Sequence, residues 1–181
     1  MRFVETPLSG AILVQLDPHP DERGFFARAF CEDEFAAHGL PRRFPQCNLS
    51  RNAARGTLRG MHYTSARHPE AKLVRCASGA IWDAIIDLRK GSPTRLQWFG
   101  AELSAERGDA LFVPAGFAHG FVTLLPGTDV FYQMGSAYVP EAARGLRWDD
   151  PRFGIRWPLS PKVISERDRT YPDFDEATFD G

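Results

Sequence analysis

The chain lacks a long hydrophobic run, a surplus of charge of one sign and any cysteine pattern. Among its 181 residues no stretch approaches the roughly 20 consecutive apolar residues of a membrane-spanning helix. The first residues carry neither a basic segment nor an apolar export core, so a cytoplasmic location is expected. Lys and Arg total 22 and Asp and Glu total 23, leaving a formal charge of −1. These charges are interspersed, so neither nucleic acid nor a membrane surface is an expected partner. Cys31, Cys47 and Cys76 are odd in number and have no CxxC spacing. They read as buried or half-buried free thiols in a reducing compartment. With no repeat, linker or low-complexity segment, one domain over 1–181 is expected. That length can bury a core without disulfides or a structural metal.

What is present has a period of two. Runs at Ala11 to Leu16, Lys72 to Cys76, Ala80 to Leu88, Leu96 to Leu103, Ala110 to Val113, Gly120 to Leu125 and Val130 to Tyr138 are rich in β-branched and aromatic residues. Gly, Pro, Asp and Ser punctuate them at short intervals, which predicts an all-β sandwich or barrel and not βαβ units. Ile81, Asp83, Ile85 and Asp87 alternate with their neighbours, so that strand offers one face inward and one outward. One helix is predicted from Glu32 to His38, with acids in its first turn and Gly39 as its C-terminal stop. After about Pro140 the pattern weakens into a Pro-, Arg- and Asp-rich tail, expected to pack on the barrel.

Two segments each set a histidine among polar groups: Arg59-Gly60-Met61-His62-Tyr63, and Pro114-Ala115-Gly116-Phe117-Ala118-His119-Gly120-Phe121. Histidine titrates nearest neutrality, so two on a β framework suggest proton transfer or metal ligation. The second segment resembles the second motif of cupin barrels. Metal-binding cupins supply a His-x-His pair and a downstream Glu, because a divalent ion needs several converging ligands. Here Tyr63 and Thr64 follow His62, His68 lies past a loop from Ala66 to Glu70, and Glu70 is the only nearby carboxylate. No metal is therefore expected.

A longer ordered set of motifs names a family. Asp21-Glu22-Arg23-Gly24-Phe25-Phe26 is followed by Gln46-Cys47-Asn48-Leu49-Ser50 and by Gly56-Thr57-Leu58-Arg59-Gly60-Met61-His62-Tyr63. Then come Lys72-Leu73-Val74, Asp87-Leu88-Arg89 with Ser92-Pro93-Thr94, Gly116 to Phe121, Tyr132, Tyr138-Val139-Pro140 and Trp148-Asp149-Asp150-Pro151. Together these resemble the dTDP-4-dehydrorhamnose 3,5-epimerase family, from near residue 1 to about Asp168. The resemblance implies a cupin-type jelly-roll barrel with a few short helices, no cofactor, a homodimer, and a nucleotide-diphosphate sugar as substrate. It implies epimerisation of the carbons flanking the keto group of an NDP-4-keto-6-deoxyhexose.

That chemistry needs a base near neutrality, a cation or donor at the developing enolate oxygen, and an acid on the opposite face, since one base alone returns the proton whence it came. By resemblance His62 is the base, Asp168 orients it, Lys72 with His119 meets the enolate oxygen, and Tyr132 is the acid. A nearby cation is expected to lower the Tyr132 pKa. Arg23 and Arg59 match the family's phosphate contacts, and Gln46, Asn48 and Tyr138 its nucleoside and sugar region. Taken singly, Tyr132 also reads as a core aromatic, Lys72 as a snorkelling strand-edge charge, and His119 as a hydrogen-bonder behind the reacting groups.

Two departures bear on the nucleotide. Arg28 falls in the stretch where thymidine-sugar enzymes of the family commonly have a glutamate, and arginine suits acceptor edges such as those of cytosine or guanine. Thr64 stands where Gln is frequent. The nucleotide, dTDP, CDP or GDP, and the inversion of one carbon or both stay open. A sugar ketoisomerase on the same barrel and a non-catalytic sugar-nucleotide binder are the alternatives.

Overall fold

A computed structural model describes residues 1–180. One six-stranded sheet holds β1 (Arg2–Glu5), β2 (Ile12–Gln15), β5 (Gln46–Asn52), β7 (Lys72–Ser78), β10 (Ala110–Val113) and β12 (Thr128–Met134), in the order β1-β2-β10-β7-β12-β5. The other runs β13 (Ala143–Gly145), β6 (Thr57–Thr64), β11 (Phe117–Thr123), β8 (Ala80–Asp87), β9 (Trp98–Ser104), with β14 (Val163–Ile164) added parallel to β6. Outside these sheets lie a separate hairpin, β3 (His19–Asp21) with β4 (Gly24–Phe26), two short α-helices, α1 (Glu32–Ala37) and α2 (Glu166–Thr170), and a 3-10 turn at Pro140–Ala142. The all-β jelly-roll expectation is met.

The inward rows of the two sheets meet in one core. Val74, Cys76, Leu111 and Val130 from the first sheet pack on Ile81, Ile85, Leu103 and Phe121 from the second. Alternation along β8 is as expected, because Ile81 and Ile85 face this core while Ala84 and Ile86 face the opposite way. On the outside of the first sheet, Phe35 of α1 packs with Leu73 and Phe112. That helix ends where predicted, with His38 as its cap and Gly39 following at φ +70°.

The tail beyond Pro140 covers the outside of the second sheet, where Phe153, Phe174 and Phe179 bury beside Met61, Tyr63 and Ile86. Arg144–Asp180 and Arg147–Asp173 also tie it down, at 2.9 and 3.0 Å, through side chains that stay open to water. Exposed pairs contribute about 0–1 kcal/mol. A buried phenylalanine contributes about 1.5–3 kcal/mol, so the aromatic anchors hold the tail.

Several boundaries differ from the sequence reading for local reasons. The strand expected from Leu96 starts at Trp98, because Leu96 takes φ +62° in a turn and bonds the Asp87 carbonyl at 2.7 Å. The strand expected to reach Tyr138 stops at Met134, where the Gly135 amide turns to the Ala71 carbonyl. Strand β5 escapes an apolar-pattern search, since Gln46 to Asn52 is a polar edge strand. Cys31 is half-buried and Cys76 buried as expected, but Cys47 is exposed, because it lies on that edge strand. Among the described residues no helix is long and apolar enough to cross a membrane.

Candidate active site

A cavity of about 270 Å³ opens between the sheets. Arg59 and His62 of β6 and His119 and Phe121 of β11 form one wall, while Asn48 and Ser50 of β5, Lys72 of β7 and Tyr132 and Met134 of β12 form the other. Arg59 and His62 are three residues apart, and a regular strand would point them to opposite faces. A bulge corrects this. Phe121 pairs with Arg59 and His119 with His62, so three steps on β6 answer two on β11. Gly60 sits in the bulge at φ +139°, and a Cβ there would lie 2.5 Å from the Gly120 Cα. Gly60→Ala is therefore expected to misplace both side chains and slow substrate proton exchange by about 100-fold. Exchange at the wild-type rate, read by NMR in deuterated water, would count against this role for the bulge.

His62 and His119 face each other across β6 and β11, and each has its own carboxylate. His62 Nε2 lies 2.7 Å from Asp168 Oδ1, with the histidine side chain 40% exposed and the aspartate 6%. The Gly60 amide donates to Asp168 Oδ2 at 3.3 Å, and Ser165, the N-cap of α2, accepts from the Asp168 amide. Burial pushes the Asp168 carboxyl up, but the His62 hydrogen bond and charge, with the Gly60 amide, hold it below the usual range. Among the described residues the other ring nitrogen of His62 has no hydrogen-bond partner. Tyr171 stands edge-on to that ring at 6.1 Å. His119 Nε2 lies 2.8 Å from Asp83 Oδ1 on β8, and the other Asp83 oxygen is buried without a hydrogen bond.

Lys72 lies on an internal strand, between β10 and β12, and its side chain is 12% exposed, so it is not a strand-edge charge. Tyr132 contacts His119 at 6.2 Å between ring centroids. Its pKa moves opposite to the sequence expectation: burial and the Asp83 charge raise it strongly, outweighing Arg59 and a Ser50 hydrogen bond. The phenol is thus a neutral donor at any working pH. Arg59 is steadied by Asn52, whose Oδ1 accepts from Nε at 2.8 Å.

The cavity continues into a second lobe of about 230 Å³, where Thr64, Glu70, Tyr138, Arg144 and Arg167 join Asn48, His62 and Lys72. Gln46 organises its edge, accepting from the Tyr138 amide at 3.0 Å and donating to Asn48 Oδ1 at 3.2 Å. Of the residues named from the sequence, His62, Asp168, Lys72, Tyr132, Arg59, His119, Gln46, Asn48 and Tyr138 thus come together. Arg23 and Arg28 do not. Arg23 lies at the β3–β4 turn paired with Asp21, and Arg28 pairs with Glu34 at 2.9 Å, both outside this chain's cavity. Asp83, Arg144 and Arg167 escaped the sequence reading. Asp83 had left a signal, a carboxylate in the otherwise apolar inward row Ile81, Asp83, Ile85.

Residues 5–176 match the family model described as dTDP-4-dehydrorhamnose 3,5-epimerase. A dTDP-4-dehydrorhamnose 3,5-epimerase of Methanothermobacter thermautotrophicus is 44% identical over 173 residues, covering 94% of this chain and 92% of that protein. A crystal structure of dTDP-4-dehydrorhamnose 3,5-epimerase from Bacillus anthracis, with TDP and PPi bound, superposes with a TM-score of 0.92 at 38% identity, covering 96% of this chain and 99% of that one. A dTDP-6-deoxy-D-glucose-3,5-epimerase from Legionella pneumophila, in complex with dTDP-4-keto-L-rhamnose, superposes at 0.89 with 35% identity, covering 95% and 92%.

Proposed function

Because the chain belongs to the dTDP-4-dehydrorhamnose 3,5-epimerase family, we propose that it inverts carbon 3, carbon 5 or both of a dTDP-4-keto-6-deoxyhexose in deoxysugar biosynthesis. The observation that carries this reading is the placement of His62 and Tyr132 on opposite sheets with the cavity between them. A hexose ring held there meets a base on one face and a proton donor on the other, which is what inversion demands. His62, oriented by Asp168, takes the proton beside the ketone. Lys72 and His119 meet the oxygen on which charge then develops, where fixed donors act most strongly. Tyr132, protonated before the step, returns a proton from the far face; the phenolate this leaves is disfavoured by burial, is supported by the Arg59 charge and the Ser50 hydrogen bond, and regains its proton from solvent.

Arg59 and Arg167 give the groove cations for a diphosphate, which guanidinium groups bind through paired hydrogen bonds. The Arg28–Glu34 pair weakens the case for a cytosine or guanine reader at that position, since its guanidinium is already engaged. Incubation with dTDP-, CDP- and GDP-4-keto-6-deoxyglucose in deuterated water tests the whole reading. Deuterium is expected at the carbons flanking the keto group of the dTDP sugar. Absence of exchange with all three would overturn the function, and preference for CDP or GDP would overturn the nucleotide.

A homodimer gives Arg23 a use. Within one chain the β3–β4 hairpin stands outside the cavity, and it displays Phe26 at 75% exposure beside Phe25. A second copy whose groove receives this hairpin would cover both rings and gain Arg23 as a phosphate contact. Co-expression of His62→Ala and Arg23→Ala chains is then expected to restore roughly a quarter of wild-type activity, as random pairing of subunits dictates. No recovery above the separate variants would show that Arg23 does not act across subunits. The three free thiols suit a cytoplasmic enzyme.

A further inference from the structure

In the sequence Glu70 is the carboxylate nearest to His62, and the chemistry above leaves it without a part. The structure sets it against Lys72, with Glu70 Oε1 3.6 Å from Lys72 Nζ and the two side chains 7% and 12% exposed. We infer that Glu70 is a positioning residue that keeps the Lys72 ammonium charged and at the cavity wall, so that Lys72 reaches the developing enolate oxygen as a cation. The inference rests on the epimerase reading above.

A lysine this deep loses most of its hydration, and burial pushes the Lys72 pKa down, against the pull first of Glu70 and then of Asp83. The surroundings leave Glu70 little competition. Arg59 and His62 of β6, His119 of β11, Tyr132 of β12 and Arg167 of α2 line the same cavity lobes as Lys72. None of these side chains offers the ammonium a negative charge. Asp83 is the other carboxylate whose charge reaches Lys72, but it lies beyond ion-pair distance of Nζ and its hydrogen bond is with His119. Among the described residues Glu70 is the only carboxylate within ion-pair distance of Nζ. Its place two residues before Lys72, on the loop that leads into β7, fixes the pairing through the backbone. An uncharged Lys72 could still donate a hydrogen bond, but would lose the charge that stabilises an oxyanion.

The chain has three lysines, Lys72, Lys90 and Lys162. Lysine labelled with ¹³C at Cε therefore gives three side-chain signals, assigned with Lys90→Arg and Lys162→Arg. In Glu70→Gln the Lys72 signal is expected to titrate at lower pH by about one pH unit or more, the usual effect of a lost opposite charge at this range. The alkaline limb of the kcat profile is expected to move acidward by the same amount, because the protonated lysine is the active form. The acid limb and the KM for the nucleotide sugar should stay in place, and Glu70→Asp should recover part of the shift. An unmoved Lys72 signal in Glu70→Gln would overturn the pairing. A moved signal with an unmoved alkaline limb would refute the use of that charge in the reaction, and with it this role for Glu70. The epimerase reading itself would still be decided separately, by solvent exchange in the wild-type protein.

Discussion

Deuterium wash-in at the sugar carbons is expected to fall by about 1,000-fold in His62→Ala, within the range of a lost general base, while dTDP affinity stays within about 2-fold. The split follows from the geometry: His62 stands at the cavity wall with one nitrogen committed to Asp168, and the cations that would hold the diphosphate are other residues. Asp168→Ala is expected to approach the same loss, because it removes the group that fixes the imidazole ring and balances the imidazolium. It carries an added cost in stability. The folded-state pKa of Asp168 is depressed, so its stabilisation is present above the usual carboxylate range and disappears as pH falls through that lowered value. Wash-in, nucleotide titration and a thermal melt on both variants separate these effects. Exchange near the wild-type rate in His62→Ala would remove His62 as the base, whatever the family.

Tyr132→Phe is expected to divide the reaction in two. With the phenol gone, His62 still removes a proton and can give back a deuteron on the same face, so slow wash-in with retained configuration should persist. Product epimer should fall by about 100-fold or more, the usual size of a lost general acid. The substitution keeps the ring against His119 and Phe121, so packing stays nearly constant and the hydroxyl alone is tested. Buried and beside Asp83, that hydroxyl stays protonated across the working range, and its contribution should show no alkaline loss of its own. Epimer formed at the normal rate by Tyr132→Phe would transfer the acid role to another group, such as Tyr138 or a water held by His119.

The period-two runs, the single predicted helix and the ordered motifs were enough to read an all-β barrel and its family, because alternation and turn residues are local properties of the chain. They also identified most of the residues that meet in the cavity. Tertiary structure decided how those residues are used. Arg59 and His62 share a face only because β6 bulges at Gly60 against Gly120, and a register shift depends on the partner strand. Asp168 reaches His62 across 106 positions through a tail with little periodicity, whose buried phenylalanines hold it on the sheet. The rise of the Tyr132 pKa and the pairing of Glu70 with Lys72 follow from depth and from neighbours on other strands. Arg23 matches the family motif, yet within one chain it lies outside the cavity, since a motif specifies residue types in order and not which chain's groove they enter. Sequence order thus determined the strands and their side-chain chemistry, and long-range pairing decided desolvation, counter-charges and the faces from which the ring is met, because these depend on distances between segments far apart in the chain.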